Sequence, residues 1–138
     1  QTVESASDVQ IYQSVMANAD GETTWRLMRA ASYAKDNRLL PKGWSSEHPA
    51  TDEIAPVGTD GDADFGAGGD QVAYRVSVPS DASGPFTVDV DLYYQPLSHR
   101  FAQQLFEVDT PAVRDFQFYW THADRRPETI DSARTDVQ

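Results

Sequence analysis

The sequence that decides the predicted fold is QVAYRVSVP, SDASGP and FTVDVDLYYQP, which together form Gln71–Pro96. In its first and last parts, β-branched and aromatic residues alternate with small or polar ones. This alternation is typical of strands with one buried and one solvent-facing side. Residues 80–85 have turn chemistry, and a proline at either limit cannot donate to a strand ladder. We predict an antiparallel hairpin of residues 72–78 and 86–94, with Val90 facing the core.

The composition sets limits on the class of protein. The chain has 138 residues, enough for one domain with a single core. Its net charge of -11 comes from 22 acidic and 11 basic side chains. Such a surface repels phosphate backbones, so nucleic acid is not an expected partner. No apolar run approaches the roughly 20 residues of a membrane helix, so membrane insertion is not expected either.

Cysteine usage and the first residues bear on processing. Cysteine is absent, which excludes disulfides, zinc–thiolate sites, covalent haem attachment and a thiol nucleophile. The segment that opens at Gln1 lacks the apolar region of a signal peptide. A chain that begins with Gln rather than Met is expected to be processed after secretion or cut from a longer protein.

The residues before the hairpin are also predicted to be largely β. Residues 9–17 alternate as a strand does, and an Asp-Gly turn follows at residues 20–21. Residues 23–34 fit either a strand or a helix with an alanine-rich middle, and we favour the strand.

After Pro96 the apolar period becomes helical. Ser98 can cap one helix, and Thr110 followed by proline is a good start for a second. Residues 128–138 are polar but contain anchors for a last short strand. We therefore predict a single domain over residues 1–138, with frayed ends at 1–8 and 131–138. Its predicted fold is a mainly antiparallel β-sandwich of about six or seven strands with one or two short C-terminal helices.

The long segment at residues 45–69 lacks periodicity, and loops of that length are usually functional or mobile. Asp60, Asp62 and Asp64 stand at positions 1, 3 and 5 of a calcium loop, where carboxylates converge on one hard cation. The glycine and the bidentate glutamate expected later in such a loop are missing, although Asp70 could serve as a ligand. The sequence leaves calcium binding and a solvated acidic turn both open.

Trp44, Tyr93 and Arg38 form the candidate binding surface. Exposed aromatic rings would suit sugar rings, whereas buried ones would belong to the core. For Arg38, an internal salt bridge or a turn clamp is favoured over ligand binding. Catalytic residues are not predicted, because no Gly-x-Ser-x-Gly occurs and the paired Asp89 and Asp91 have the pattern of a solvated sheet face.

Three segments together resemble a known family: YAKDNRLLPKG at 33–43, DQVAYRV at 70–76 and VDVDLYYQ at 88–95. They are similar to a C-terminal β-rich domain of secreted bacterial multihaem c-type cytochromes and related extracytoplasmic proteins. The resemblance spans residues 9–120 and implies a periplasmic or secreted location in the company of a multihaem cytochrome. It implies no activity, and without Cys-x-x-Cys-His the chain cannot attach a c-type haem itself.

From these features we predict a non-catalytic, extracytoplasmic accessory module that docks on another protein or a larger assembly. Calcium is the cofactor that the acidic loop suggests. The alternatives are a carbohydrate-binding module and a hydrolase whose acids the sequence does not identify. His99 or His122 could supply an axial ligand to a haem in a partner chain, or could simply lie on the surface.

Overall fold

The computed structural model describes residues 1–5 and 7–137. Strand residues make up 27% of the chain and helical residues 20%. The chain divides into two compact units, which we call unit 1 (residues 1–77) and unit 2 (residues 78–138).

Unit 1 contains a three-stranded antiparallel sheet in the order β3-β2-β4. Its strands are β2 (Ser14–Ala17), β3 (Thr23–Thr24) and β4 (Ser32–Asp36). The predicted Asp-Gly turn joins β2 to β3, where Gly21 has a φ of 82° and the Asn18 Oδ1 accepts hydrogen bonds from two backbone N–H groups. The strand predicted over residues 23–34 is interrupted, because a 3-10 turn at Leu27–Arg29 separates β3 from β4.

A second, smaller sheet of unit 1 brings distant residues together. Strands β1 (Thr2–Val3) and β5 (Ala73–Tyr74) pair in parallel. A short helix, α1 (Thr51–Ile54), lies in the segment between the two sheets along the chain. The pairing of β1 with β5 places Gln1 beside Gln71 and next to Asp62, in the loop of residues 59–65.

Unit 2 consists of a long two-stranded ribbon and two helices. The ribbon strands are β6 (Phe86–Tyr94) and β7 (Glu128–Val137), and the helices between them are α2 (His99–Phe106) and α3 (Pro111–His122). The predicted caps are present, since the Ser98 Oγ accepts from the N–H of Phe101 at 3.1 Å and the Thr110 Oγ1 accepts from the N–H of Val113 at 3.3 Å. Between the helices, Phe106, Phe116 and Trp120 pack with ring centroids 5.9–6.4 Å apart.

The β-sandwich prediction is wrong. The described sheets have two, three and two strands, and none of them closes. The predicted hairpin does not form, because β6 pairs with β7 and only Ala73–Tyr74 of residues 72–78 is a strand. Alternation identifies a strand and its two faces, but it does not identify the strand that pairs with it.

The ends of the chain and the core also differ from expectation. Residues 2–3 and 131–137, within the predicted frayed ends, lie in strands, while Ala6 and Gln138 lie outside the described residues. Few described side chains are buried: Val3, Ala17, Thr24, Asn37 and Ala102. Val90 was predicted to face the core, yet it is 52% exposed. The apolar side of β6 is therefore uncovered.

Candidate functional site

Three of the four predicted calcium ligands converge in unit 1. One carboxylate oxygen from each of Asp62, Asp64 and Asp70 lies within 4.8 Å of the other two. Oxygens that bind one Ca²⁺ at about 2.3–2.6 Å lie at most about 5 Å apart, so these distances fit a shared cation. We call these three residues the acidic cluster. Asp60, the fourth predicted ligand, is exposed in a turn and lies outside it.

Two overlapping turns shape the loop that carries the cluster. The N–H of Asp62 donates to the carbonyl of Thr59 at 3.0 Å, and the N–H of Phe65 donates to the carbonyl of Asp62 at 3.1 Å. Gly61, inside the first turn, has a φ of 100°, a conformation that glycine adopts without steric cost. The pairing of β1 with β5 then fixes Asp70 beside this loop.

Tyr12 donates a hydrogen bond to one member of the cluster, Asp70. Its hydroxyl donates to the Asp70 Oδ2 at 2.7 Å. Burial, followed by this hydrogen bond, raises the pKa of Tyr12 to about 12, so the hydroxyl stays protonated at neutral pH. The other oxygen of Asp70, Oδ1, is buried and has no hydrogen-bond partner among the described residues. A buried carboxylate oxygen without a donor is costly, which favours a cation beside it.

Among the described residues, the α-ammonium of Gln1 brings a positive charge to the cluster. That ammonium donates to the Asp62 Oδ1 at 3.1 Å and to the Gln71 carbonyl at 3.0 Å. The Asp64 Oδ1 lies 3.7 Å from it. The ammonium thus has two carboxylates and a carbonyl around it, which are also the oxygen types that calcium prefers.

Arg38 forms the internal clamp that the sequence favours. Its Nε and Nη2 donate to the two carboxylate oxygens of Asp36 at 2.8 and 2.5 Å. The guanidinium lowers the pKa of Asp36 through this hydrogen bond, and it also lies 6.0 Å above the ring of Tyr33. Because two of its guanidinium nitrogens bind Asp36, Arg38 stabilises the turn of its own segment and is not a free ligand-binding group.

The two aromatic residues of the candidate binding surface differ in exposure. Trp44, in unit 1, is half-buried, and its Nε1 has no hydrogen-bond partner among the described residues. Tyr93, in unit 2, is 53% exposed, and its hydroxyl donates to the Asp91 Oδ2 at 3.2 Å, which raises the pKa of Tyr93. An open cleft of about 700 Å³ lies beside it, lined by Tyr93, Asp124, Arg126, Pro127, Glu128 and Thr129.

The ribbon of β6 and β7 has two unlike faces, because directly paired residues of antiparallel strands project to the same side. We call the first side the apolar face, formed by Phe86, Val88, Val90, Leu92, Asp131, Ala133, Thr135 and Val137. The other side is polar, with Thr87, Asp89, Asp91, Ser132, Arg134 and Asp136. Sequence alternation predicts the β6 half of both faces. It misses the β7 half, since ETIDSARTDV has few apolar residues, and it wrongly predicts that the apolar face is buried.

The candidate haem ligands His99 and His122 lie at helix ends in unit 2. His99 begins α2, and His122 ends α3, where its ring stacks on Phe118 with a centroid distance of 4.3 Å. The Nδ1 of His122 also lies 2.7 Å from the Phe118 carbonyl oxygen. The suggestion that either histidine binds the haem of a partner stays a prediction.

Comparison with known proteins gave no relative: no family model, curated protein or solved structure matches the chain. The resemblance to the cytochrome-associated domain therefore also stays a prediction. Among the helices within residues 1–5 and 7–137, none has the length and apolar character that crossing a membrane requires.

Proposed function

We propose that the chain is a non-catalytic accessory module that docks on another protein through the apolar face of its ribbon. The observation that carries this proposal is the exposure of that face, where Val88, Val90 and Leu92 are 42%, 52% and 44% exposed. An isolated two-stranded ribbon is marginally stable at best in water. Covering these half-exposed side chains with a partner would contribute about 1 kcal/mol each, before the costs of association.

Two carboxylic acids have a pKa shifted by an arginine neighbour. Arg38 and Arg126 lower the pKa of Asp36 and Asp124, respectively, through direct hydrogen bonds. A catalytic carboxylic acid needs the opposite shift, towards neutral pH. None of these observations favours the hydrolase alternative.

The location and the partner class that we propose come from the sequence resemblance. It suggests an extracytoplasmic module that docks on a multihaem cytochrome assembly. The net charge of -11 supports a partner with a basic surface, because complementary charge speeds association and excludes wrong partners.

Site-specific photo-crosslinking tests the docking face. A photoreactive amino acid at Val90 should crosslink a defined partner in the cells that produce the protein, and a purified multihaem c-type cytochrome should compete for it. The matched control carries the same group at Met28, which is 99% exposed in unit 1. Equal adducts from both positions, or none from Val90, would contradict the proposal.

A carbohydrate-binding module is the second candidate, supported by the exposed ring of Tyr93 beside an open cleft. If sugar rings stack there, Tyr93→Ala should abolish retention on a glycan affinity gel without changing the urea midpoint. Trp44→Ala is the comparison, because a half-buried tryptophan should lower stability instead. Wild-type glycan retention by Tyr93→Ala would reject this candidate.

Calcium is the cofactor that we propose for the acidic cluster. The support is the spacing of the three carboxylates and the unpaired buried oxygen of Asp70. At a hundredfold excess over its Kd, calcium should stabilise unit 1 by about 2.7 kcal/mol. Asp62→Asn should weaken this stabilisation, whereas Asp60→Asn, outside the cluster, should not. An equal melting temperature in chelator and in millimolar calcium would contradict the proposal.

A further inference from the structure

We infer that the outer edge of β6 accepts a β-strand from the docking partner, and that this strand alternates apolar with basic residues. The outer edge is the side of β6 that faces away from β7. This inference rests on the proposed docking function, because it specifies how the same ribbon binds.

The outer edge of β6 is long and unpaired. Within the described part of the chain, β6 pairs with β7 alone. Its nine residues extend over about 30 Å. Residues 87–94 are all exposed, so the backbone N–H and C=O groups of this edge are open to solvent. Such a row of free donors and acceptors is a template for a further strand.

The two edges of the ribbon differ in the features that normally prevent strand addition. The register shifts after Leu92, which pairs with Asp131, whereas Tyr93 pairs with Thr129. Ile130 is therefore an extra residue in β7, and Asp131 places a charge on the apolar face. Bulges and inward-facing charges both protect an edge. β6 has no extra residue, no proline, no lysine and no charge on its apolar face, so its edge is the unprotected one.

The side chains of β6 define the chemistry of the incoming strand. Residues opposite Val88, Val90 and Leu92 would extend the apolar face, so they should be apolar. Residues opposite Asp89 and Asp91 would lie on the polar face, so they should be basic, because opposite charges stabilise cross-strand pairs.

The two aspartates differ in the charge beside them. Asp89 has a cationic partner within the ribbon, because Arg134, directly opposite on β7, places its Nε 3.6 Å from the Asp89 Oδ1. Asp91 accepts hydrogen bonds from the Ser132 hydroxyl at 2.6 Å and the Tyr93 hydroxyl at 3.2 Å, and both donors are neutral. A lysine or arginine on the incoming strand would supply Asp91 with a positive partner and Asp89 with a second one.

A second copy of this chain is a poor occupant of the edge. If two β6 strands paired antiparallel about Val90, Asp89 of each would face Asp91 of the other. Like charges directly opposite each other destabilise a strand pair. Each copy also carries a net charge of -11. The geometry favours a different, basic strand.

A synthetic peptide tests the mode of binding. The probe is a nine-residue peptide of alternating lysine and valine with blocked ends, matched to the length of β6. We expect saturable binding by fluorescence anisotropy, together with slowed amide hydrogen exchange in residues 86–94. Three control peptides should bind much more weakly: the same composition scrambled, glutamate in place of lysine, and alternate residues N-methylated to remove donors along one edge.

Variants of the chain test the side-chain pairing. Asp89→Asn and Asp91→Asn should each weaken peptide binding about twofold to fivefold, the effect of losing one cross-strand charge pair. Asp81→Asn, an exposed acid outside the ribbon, removes the same charge and should leave the affinity unchanged. Equal weakening by all three variants would show general charge attraction and would overturn the inference.

Failure of this inference can be separated from failure of the proposed function. If the N-methylated peptide binds as well as the parent, or no peptide binds, strand addition is overturned. A Val90 crosslink to a defined partner would then still uphold docking by the apolar face. If the Val90 crosslink is also missing, strand addition and docking by the apolar face are both overturned.

Discussion

At the scale of single residues, Asn37 connects the end of β4 to the chain before β2. It is one of two buried polar residues among those described, with 4% of its surface exposed. Its Nδ2 donates to the carbonyl of Ile11 at 3.1 Å, and its Oδ1 accepts from the N–H of Gln13 at 3.0 Å. Its own N–H donates to the carbonyl of Gln13 at 3.3 Å. One amide thus satisfies backbone groups that no strand ladder reaches.

Asn37→Ala should lower the free energy of unfolding by about 1–3 kcal/mol, because it leaves the N–H of Gln13 without its acceptor and leaves the Ile11 carbonyl with only the Lys35 ammonium as a donor. Urea unfolding followed by far-ultraviolet circular dichroism measures the change. Glu47→Ala, at an exposed loop position, should stay within about 0.5 kcal/mol of wild type. Equal effects of the two substitutions would show that the amide does not contribute.

Tyr12 should make stability depend on alkaline pH. Its pKa is about 12 in the folded chain and near 10 in the unfolded chain. Because the folded value is the higher one, the stabilisation is complete below pH 10 and is lost between about pH 10 and 12, by at most about 2.7 kcal/mol. Tyr12→Phe should reduce this decline in urea midpoints measured across that range; the part that remains includes the raised pKa of Tyr93. Tyr119→Phe, at an exposed position, should retain the whole decline.

At the scale of elements, the two helices of unit 2 begin where local chemistry requires. Ser98 and Thr110 each accept a hydrogen bond from the N–H three residues later, which satisfies a backbone donor that has no partner within the helix. Pro111 follows at the first helical position, where its missing N–H costs nothing.

Removing either cap should destabilise unit 2. Ser98→Ala and Thr110→Ala should each cost about 1 kcal/mol, the usual effect of losing an N-cap side chain. Thr110→Ser keeps the accepting hydroxyl and should therefore lie close to wild type. The measurement is thermal unfolding followed by far-ultraviolet circular dichroism, which is most sensitive to helices such as α2 and α3. An alanine variant as stable as Thr110→Ser would contradict the role of the cap.

The elements that sequence predicts well are those determined within a few residues. The two caps and the Asp-Gly turn depend on neighbours at most four residues apart, and all three are present. Strand pairing is not local, since β6 and β7 are separated by two helices. The pairing depends on cross-strand contacts, such as the hydrogen bond from the Thr87 hydroxyl to the Asp136 Oδ1 at 2.8 Å, which no alternation pattern reveals.

The candidate sites also contain local features that the sequence predicts and distant contacts that it does not. The spacing of Asp62 and Asp64 alone predicts that both are candidate metal ligands. Tyr12 lies 58 residues from its partner Asp70, and a lone tyrosine in a strand-like segment gives no signal of that contact. The apolar face was visible as alternation, but whether such a face is covered depends on tertiary packing.

At the scale of the whole molecule, acidic charge is in excess. The 22 acidic residues outnumber the 11 basic ones two to one, so at least half of the acids lack a basic partner of their own. Several arginines form exposed pairs with near neighbours in sequence, such as Arg126 with Asp124 and Arg114 with Asp109. Exposed pairs of this kind contribute only about 0–1 kcal/mol each. Repulsion among the remaining carboxylates should therefore outweigh attraction.

Added salt should stabilise the protein for this reason. Between about 0.01 M and 1 M NaCl the Debye length falls from about 30 Å to about 3 Å, which screens repulsion between exposed carboxylates. The urea midpoint should rise over this range. A variant that carries Asp20→Asn, Glu47→Gln and Asp81→Asn, all at exposed positions, should be more stable than wild type at low salt and should respond less to NaCl. Because the effect of NaCl on apolar hydration is common to both proteins, the difference between their slopes isolates the electrostatic part. Parallel slopes would mean that self-repulsion does not limit stability, and the excess of acids would then have to act through binding to a basic partner.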